Sequence, residues 1–582
     1  MDKPANRLPS AWPSASGQAA AARLVERFAG LGEAERQFAA QPEAAAMLAC
    51  FGGHSPYLSD LAVRESAALL DIGARGPDAV VQQALTELGG AAITSARPRI
   101  AAALRQAKRI VALAVAVADI GGIWNLERVM GTLSAAAETA LRLSVAHLLR
   151  AAHDGGDIRL PNPGNPAQGS GFTVLGMGKL GARELNYSSD VDLVLLYDPA
   201  AGVYIDPEAE GAMGSFYTRI ARGIVALMEA RDANGYVFRT DLRLRPDPGA
   251  TPLAVSLPGA ITYYESMGEN WERAAMSKAR PVAGDLDLGA AFLAEIRPFI
   301  WRRGLDFAAL ADIHAMKRRI DAHKGGALAD EGDPVSRIAG HNVKLGEGGI
   351  REIEFLAQTL ELVWGGRDPS LRDPTTLGAL EALVRAGHIR RRSADELAAA
   401  YAFLRSVEHR LQMVADRQTH SLPEKPQDLA RFALFMGFPD ARLFADHLML
   451  HLARVRARYA EIFEHVPEPV GVAAEVREQL DFSGNQDLPE ATTAALKALG
   501  YSNVPGIASA VRGWKAGHVR AMRSERARAL LEEILPSILA SLAAEPQPDA
   551  AFGRFDAFLA RLPAGVQILS LFQRNPHLLD RV

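Results

Sequence analysis

The segment FTVLGMGKLGARELNYSSDVDLVLLYD, residues 172–198, determines the fold of the middle of the chain. Its two apolar runs, 172–177 and 191–197, predict two β-strands. The G-x-G-x-x-G pattern after the first run occurs in dinucleotide-binding folds, but those folds need a full crossover helix between parallel strands. Only residues 179–190 separate the two runs, and their middle is loop-like. A dinucleotide-binding dehydrogenase is therefore not favoured.

Two aspartates begin the second apolar run. Asp190 and Asp192 occupy positions i and i+2 of the predicted strand, so their carboxylates project from the same face. Two carboxylates side by side raise each other's pKa unless a cation lies between them. Mg²⁺ is usually held by one or two carboxylates together with phosphate oxygens, so we predict Mg²⁺ as the cofactor. The alternative is that Asp190 caps a turn together with Ser189 and that Asp192 is solvated.

A third strand is predicted at YVFRTDLRLR, residues 236–245. Alternation places Arg239, Asp241, Arg243 and Arg245 on one face of that strand. Asp241 would be a third metal ligand, beside guanidinium groups that bind phosphate oxygens. The alternative is an edge strand whose charges face water.

A glycine turn completes the predicted site. Gly178, Lys179 and Gly181 would let backbone N–H groups approach a phosphate, and Ser188 and Ser189 would add donors. The alternative is a tight turn without a ligand. A glycine turn, an aspartate pair on the next strand and a third aspartate on a later strand are typical of a two-metal nucleotidyl-transfer site. In such a site one metal activates the attacking oxygen and the other stabilises the leaving phosphate.

The chain of 582 residues is too long for one ordinary core, so several domains are expected. Apolar residues recur at intervals of three and four before and after the central segment, which predicts helices. The predicted N-terminal helices are 18–30, 33–48, 62–71, 78–90, 97–119 and 125–152, and a further helix, 213–230, lies between the second and third strands. The predicted domains are 1–154 (helical), 155–171 (a linker rich in Gly and Pro), 172–309 (the α/β unit), 310–465 (helical with a loop at 322–340, packing on the active site) and 466–582 (a helical linker region, with a loop at 466–490, that would lead toward a second catalytic half).

Composition excludes several classes of protein. A formal net charge of −4 argues against a general nucleic-acid binder. The single cysteine, Cys50, excludes an internal disulfide and disfavours a thiolate zinc site. The N-terminus shows no apolar secretory signal, and the most apolar stretch, 110–124, is shorter than the about 20 residues that a membrane span needs. We therefore expect no membrane partner and a cytoplasmic location.

The segment G-M-G-K-L-G-A-R-E-L-N-Y-S-S-D-V-D-L, residues 176–193, resembles the glutamine synthetase adenylyltransferase / adenylyl-removing enzyme family. Further stretches match in the family's order: VFRTDLRLRP (237–246), YY (263–264), WER (271–273), KAR (278–280), RPFIWRR (297–303), KLGEGGIREIEF (344–355), LRSVEHRLQ (404–412) and SLP (421–423). The resemblance implies a nucleotidyltransferase α/β domain of the DNA polymerase β type flanked by helical domains. The fold class expected for the whole chain is α+β and mostly α-helical.

The same motifs supply further candidate residues. Lys278 is a candidate phosphate contact, and the glycine-rich turn with Lys344 and Gly348 leads into a helix that begins near Arg351. One interpretation makes this turn a second lip of the active site that touches phosphate or nucleotide. The other makes it the start of a packed helix whose solvated face holds Arg351, Glu352 and Glu354. The polar residues Arg405, Glu408 and His409 are predicted to form a network that packs a helix.

Family members contain two nucleotidyltransferase copies, and only one is present here. Its position after an N-terminal helical domain matches the half that removes adenylyl groups. The resemblance therefore implies phosphorolysis of adenylyl-tyrosine on adenylylated glutamine synthetase in nitrogen regulation, with inorganic phosphate as nucleophile and ADP as product. A PII-type signalling protein is the expected regulatory partner. Two alternatives stay open: adenylyl transfer from ATP to a protein tyrosine, and a non-catalytic module that senses nucleotide or PII.

Overall fold

The computed structural model describes residues 7–205, 211–302, 332–463, 480–482 and 488–562, together with 565, 568, 569 and 572. The start of the domain predicted from residue 310 and most of the loop predicted at 466–490 lie outside the described residues, as does Arg303 of the RPFIWRR motif. The chain divides into two compact units. The first contains the described residues up to Tyr459, and the second contains those from Ala460 onward.

The first unit begins with eight helices, and the predicted helical character of this region is confirmed. They are α1 (Gln18–Ala29), α2 (Glu33–Ala39), α3 (Pro42–His54), α4 (Pro56–Arg64), α5 (Ser66–Arg75), α6 (Pro77–Gly89), α7 (Arg97–Ile120) and α8 (Leu126–Asp154). The helix predicted at 33–48 is two helices, because Pro42 lacks an N–H and starts a new first turn. Pro56 does the same for α4, where the Ser55 hydroxyl accepts a hydrogen bond from Leu58 N.

A small mixed sheet follows the N-terminal helices. Its strands are β1 (Phe172–Gly176), β2 (Asp190–Tyr197), β3 (Arg239–Asp241), β4 (Ala254–Ser256) and β5 (Arg280–Gly284). β1 pairs antiparallel with both β2 and β5, whereas β3 and β4 pair parallel with β2. Antiparallel β1 and β2 cannot form the parallel crossover unit of a dinucleotide-binding fold. The prediction against a dinucleotide-binding dehydrogenase is therefore confirmed.

The remaining helices of the first unit surround the sheet and continue beyond it. They are α9 (Gly178–Gly181), α10 (Ala212–Glu229), α11 (Leu257–Ser266), α12 (Asn270–Ser277), α13 (Leu286–Glu295), α14 (Arg297–Ile300), α15 (Pro334–Ile338), α16 (Ile350–Trp364), α17 (Thr376–Arg385), α18 (Arg391–Met413), α19 (Pro426–Phe435) and α20 (Ala441–Phe463), of which the residues up to Tyr459 belong to this unit. No helix in the described ranges is long and apolar enough to cross a membrane. The mostly helical α+β class is confirmed.

The sequence prediction of a ten-residue strand at 236–245 is wrong, because β3 ends at Asp241. The Asp241 carboxylate accepts a hydrogen bond from Arg243 N at 2.8 Å, which turns the chain away from the sheet. The guanidinium of Arg245 then donates to the carbonyls of Leu242 and Pro248, at 2.9 and 2.8 Å. Arg243 and Arg245 therefore do not share a strand face with Asp241. Strand β5, which contains the Arg of the KAR motif, was not predicted.

The sheet is buried on both faces, and this fixes the position of β2. Val191, Leu193 and Leu195 belong to a core shared with the N-terminal helices and α10. Val194 and Leu196 belong to a second core, built largely from α11 to α14. Only the ends of β2 are half-buried, and one of these ends contains Asp190 and Asp192.

The second unit has a core of its own. Its helices are α21 (Glu490–Ala498), α22 (Val504–Lys515), α23 (Glu525–Ala543) and α24 (Pro548–Arg561). Trp514 is fully buried there and stacks on Phe552, with ring centroids 5.3 Å apart. The domain limits predicted at 154/155 and 171/172 fall inside the first unit, where one continuous core joins the N-terminal helices to the sheet.

Candidate active site

The parallel pairing of β2 and β3 brings the predicted carboxylates together. In this register Asp192 lies directly opposite Asp241, and Asp190 lies opposite Arg239. Residues paired in this way have side chains on the same face of the sheet. All three aspartates are half-buried. The start of β2 is therefore an acidic corner that spans two strands.

Crowding of like charges at this corner is visible in the pKa of Asp192. Burial raises that pKa, and the neighbouring carboxylates of Asp241 and Asp190 raise it further, to about 6. The pKa of Asp241 is instead lowered, first by its hydrogen bond from Arg243. A cation beside Asp192 would remove the cost of holding a negative charge there.

Two arginines contact the acidic corner. Arg239 donates to Asp190 Oδ1 at 2.5 Å, to Ser188 O at 2.7 Å and to the hydroxyl of Tyr236 at 2.7 Å. Arg243 forms a two-pronged pair with Asp241, with Nε to Oδ2 at 2.9 Å, while 85% of its side chain is exposed. Arg239 is thus part of the protein's internal framework, and Arg243 is an exposed cation next to a candidate ligand.

The donor set fits a Mg²⁺ ion that is held partly by substrate phosphates. Within the described ranges, no three His, Cys, Asp or Glu side chains are arranged as a complete metal cage. Arg239 and Arg243 engage the carboxylates of Asp190 and Asp241. Mg²⁺ commonly takes one or two protein carboxylates and completes its shell with phosphate and water oxygens. Asp192 and Asp241 meet that requirement.

The glycine turn lies against the acidic corner as α9. Gly178 has φ +49°, and a Cβ at this position would lie 3.2 Å from Asp192 Oδ2. A Cβ at Gly181 would lie 2.0 Å from the carbonyl oxygen of Lys278, which backbone cannot accommodate. Both glycines therefore allow a close approach of the chain, as predicted for a tight turn. Their contact with phosphate stays a prediction.

The two predicted serine donors are buried in the loop before β2. Ser188 N donates to Gln412 Oε1 at 2.7 Å, and its hydroxyl accepts from Arg239 at 3.2 Å. The Ser189 hydroxyl accepts from Asn186 N at 3.3 Å. In this structure both serines hold the loop together.

Three lysines from separate parts of the chain, Lys179, Lys278 and Lys344, lie close enough to Glu354 to lower the pKa of its carboxyl. Lys179 is 3.5 Å from Glu408 Oε2, and burial is the main reason that its pKa falls to about 8. Lys278 is 3.4 Å from Glu184 Oε2. Lys344 is half-buried and lowers the pKa of Asp192, yet its ammonium makes no hydrogen bond or ion pair with another described residue. Lys344 is thus the lysine that is available to an anionic ligand.

The helix after the second glycine turn differs from its prediction. Arg351 is exposed, as the interpretation of a solvated face required. Glu352 is 5% exposed and Glu354 is half-buried, so the predicted solvated face is wrong for Glu352. Burial alone would raise the pKa of Glu354, but Lys179 and Lys278 lower it overall. Gly348 has φ +75°, and a Cβ there would lie 2.4 Å from Leu452 O, so this turn packs closely against α20.

A buried polar network supports the site, and the sequence reasoning found only part of it. The prediction of a packing network on α18 is supported, since Arg405, Glu408 and His409 are fully buried. The sequence prediction missed two residues of this network. Gln412 accepts a hydrogen bond from the loop before β2, and the carboxylate of Glu184 accepts a hydrogen bond from Thr376 N at 2.7 Å. The spacing of 405, 408 and 412 places these residues on one helix face, which was the available signal.

Two family models match separate parts of the chain. Residues 46–295 match the model of the glutamate-ammonia ligase adenylyltransferase family. Residues 314–466 match a second model, that of GlnD PII-uridylyltransferase. The first match agrees with the family resemblance drawn from the sequence motifs.

Curated relatives carry the name bifunctional glutamine synthetase adenylyltransferase/adenylyl-removing enzyme. The relative from Agrobacterium fabrum is 45% identical over 537 residues, which cover 90% of this chain and 52% of the relative. The relative from Rhizobium meliloti is 47% identical over 497 residues, which cover 85% of this chain and 49% of the relative. The chain thus spans about half the length of the curated relatives that it matches.

Proposed function

We propose that this protein removes the adenylyl group from a tyrosine of adenylylated glutamine synthetase by phosphorolysis. The observation that carries the proposal is the pairing of Asp192, near the start of β2, with Asp241 at the end of the parallel strand β3. The ammonium of Lys344, which has no ion pair with another described residue, lies close enough to lower the pKa of Asp192. The match to the adenylyltransferase family and the bifunctional names of the relatives support the substrate. The choice of removal over addition rests on the resemblance to the family's N-terminal half.

The reaction exchanges one bond to phosphorus for another. An oxygen of inorganic phosphate attacks the phosphorus of the adenylyl group, and the bond from that phosphorus to the tyrosine oxygen breaks. The tyrosine oxygen leaves with the electron pair and takes up a proton. The products are ADP and unmodified glutamine synthetase.

The residues at the corner have separate tasks in this scheme. Asp192 and Asp241 would hold Mg²⁺, with Asp190 as a further ligand if it leaves Arg239. When bound, Mg²⁺ polarises the phosphate oxygens and offsets charge that develops on them. Lys344 and Arg243 would bind the phosphates, with Lys344 as a point charge and Arg243 as a two-pronged donor. Lys179, which lies in the glycine turn and pairs with Glu408, would add a further cation.

Two further parts of the proposal come from the comparisons. The match of residues 314–466 to a PII-uridylyltransferase model supports regulation by a PII-type protein. The bifunctional names of the relatives keep adenylyl transfer from ATP to a protein tyrosine as the second candidate reaction. Both directions use the same in-line chemistry at phosphorus.

A two-armed assay distinguishes the reactions. The first arm mixes the protein with adenylylated glutamine synthetase, Mg²⁺ and phosphate, and we expect ADP with AMP as a minor product. The second arm mixes it with unmodified glutamine synthetase and α-labelled ATP, and we expect little labelling. Labelling without phosphate-dependent ADP would favour the transferase, and nucleotide binding without turnover in either arm would favour a sensing module.

The Asp192→Asn variant tests the assignment of the site in the first arm. Loss of a metal-held contact should cost several kcal/mol in the transition state, so ADP release should fall by at least about a hundredfold. Asp60→Asn is the control, because the Asp60 side chain is 77% exposed and lies in the N-terminal helices. Near-normal turnover by Asp192→Asn would remove the carboxylate corner from the mechanism.

A further inference from the structure

The loop that joins α9 to β2, residues 182–189, is irregular but mostly buried. It contains no strand or helix, so its buried backbone groups need partners outside the usual ladders. Arg183 in this loop has φ +58°, a conformation that favours glycine. A loop of this kind keeps one conformation only if its surroundings hold it.

Helix α18 supplies two of the hydrogen bonds that hold the loop. Gln412 Oε1 accepts from Ser188 N at 2.7 Å, and Arg405 Nη2 donates to Glu184 O at 2.6 Å. Both side chains are fully buried. On its other side α18 is anchored to α7, where Arg410 donates to Asp119 at 2.8 Å. The helix is therefore fixed between the N-terminal helices and the loop.

The contact at Ser188 is connected to the acidic corner by a short path. Arg239 donates to the carbonyl of Ser188 and, through its Nε, to the carboxylate of Asp190. A displacement of Ser188 therefore shifts the group that orients Asp190. The path runs from Gln412 through Ser188 and Arg239 to Asp190, and Gln412 itself contacts no predicted metal ligand.

We propose that Gln412 is a positioning residue for the candidate active site and that α18 fixes the aspartate corner through it. This inference rests on the proposed function for its link to catalysis, but not for its link to the loop. It makes the helical region after residue 332 a determinant of how the site is arranged. Any partner that moved α18 would alter the order of the loop and of Asp190.

Hydrogen exchange of the full chain, without substrate, tests the link to the loop. Gln412→Met keeps the side-chain length and removes the acceptor, so the amides of 186–189 should exchange about tenfold faster. Gln358→Met is the matched control, because Gln358 on α16 donates to Ala274 O at 2.6 Å and does not contact the loop. It should leave exchange at 186–189 unchanged. Gln412→Glu retains an acceptor oxygen and should restore most of the protection.

The link to the site has its own readout. In Gln412→Met the Mg²⁺ concentration for half-maximal ADP release should rise about tenfold, with no such rise in Gln358→Met. Unchanged exchange at 186–189 in Gln412→Met, or equal changes in both variants, would overturn the proposal. If Gln412→Met does not fold, Gln412→Asn, which withdraws the same amide by one methylene, replaces it with the same expectations. Absence of ADP release by the unaltered protein would overturn the proposed function instead, because exchange needs no turnover.

Discussion

At the scale of single residues, the negative charge of Asp192 is unfavourable in the folded protein. Its pKa of about 6 lies above the usual value near 4 because of burial and of two neighbouring carboxylates. A raised carboxyl pKa means that the folded protein binds the proton more tightly than the unfolded chain does. Stability from this group is therefore complete below pH 4 and is lost as the pH rises through 6.

Asp192→Asn should consequently stabilise the protein in buffer without Mg²⁺. The gain in the free energy of unfolding should be near zero at pH 4, grow up to about pH 6, and level off at about 1–2 kcal/mol after allowance for solvent screening. Denaturant unfolding at a series of pH values measures it, with Asp60→Asn as the control that should show no such step. A gain that does not depend on pH would contradict the charge-crowding account. Higher stability with lower activity is the combination expected of a residue kept for function.

Lys344 provides a second test at this scale. Its ammonium has no ion pair with another described residue, so replacing it should cost little stability. Lys344→Gln should raise the KM for phosphate by about tenfold while the midpoint of thermal unfolding stays within 2 °C, about the shift of a small change in stability. Lys425→Gln is the control, because Lys425 is an exposed lysine of the same unit. If phosphate saturates both variants equally, Lys344 is not a phosphate ligand.

At the scale of elements, local sequence patterns predicted the strands better than they predicted contacts between residues far apart in the chain. The apolar runs located β1 and β2, and the i, i+2 rule placed Asp190 and Asp192 on one face. The pattern failed at 242–245, because a side-chain hydrogen bond from Arg243 N to Asp241 ended the strand where alternation continued. The contact of Gln412 with Ser188 spans 224 residues, and no local rule addresses a pair so far apart.

Helix α8 offers a matched pair of serines for testing how the loop before β2 is held. Ser134 and Ser144 are both fully buried, and each donates to the carbonyl four residues earlier at 2.8 Å. Of the two serines, only Ser134 also accepts a hydrogen bond from the loop, where Leu185 N donates to its hydroxyl at 3.3 Å. Ser134→Ala should therefore destabilise the protein by about 1 kcal/mol more than Ser144→Ala, since it leaves a buried N–H without its acceptor. Equal unfolding free energies for the two variants would show that the Leu185 contact contributes nothing.

At the scale of the whole molecule, the first unit contains every described residue of the candidate site. Its cores join the N-terminal helices, the sheet and the flanking helices. The sequence predicted the helical character on both sides of the sheet, but not that residues 7–302 share one unit with 332–459. A contact such as that between Asp119 and Arg410 unites them, and it depends on the tertiary fold.

The second unit has a separate core, so it should lose structure without affecting the site. Trp514 is fully buried in that core, and its indole N–H donates to Asp556 at 2.8 Å. Trp514→Ala should destabilise this unit by about 3–5 kcal/mol, because it leaves a large cavity. Hydrogen exchange should then accelerate across 504–561 while the amides of β1 and β2 keep their protection, since the described side chains of the Trp514 core all belong to the second unit. Trp12→Ala is the converse control, because Trp12 packs against the first core and should leave 504–561 unchanged. Faster exchange in β1 and β2 of the Trp514→Ala protein would show instead that the two units unfold as one.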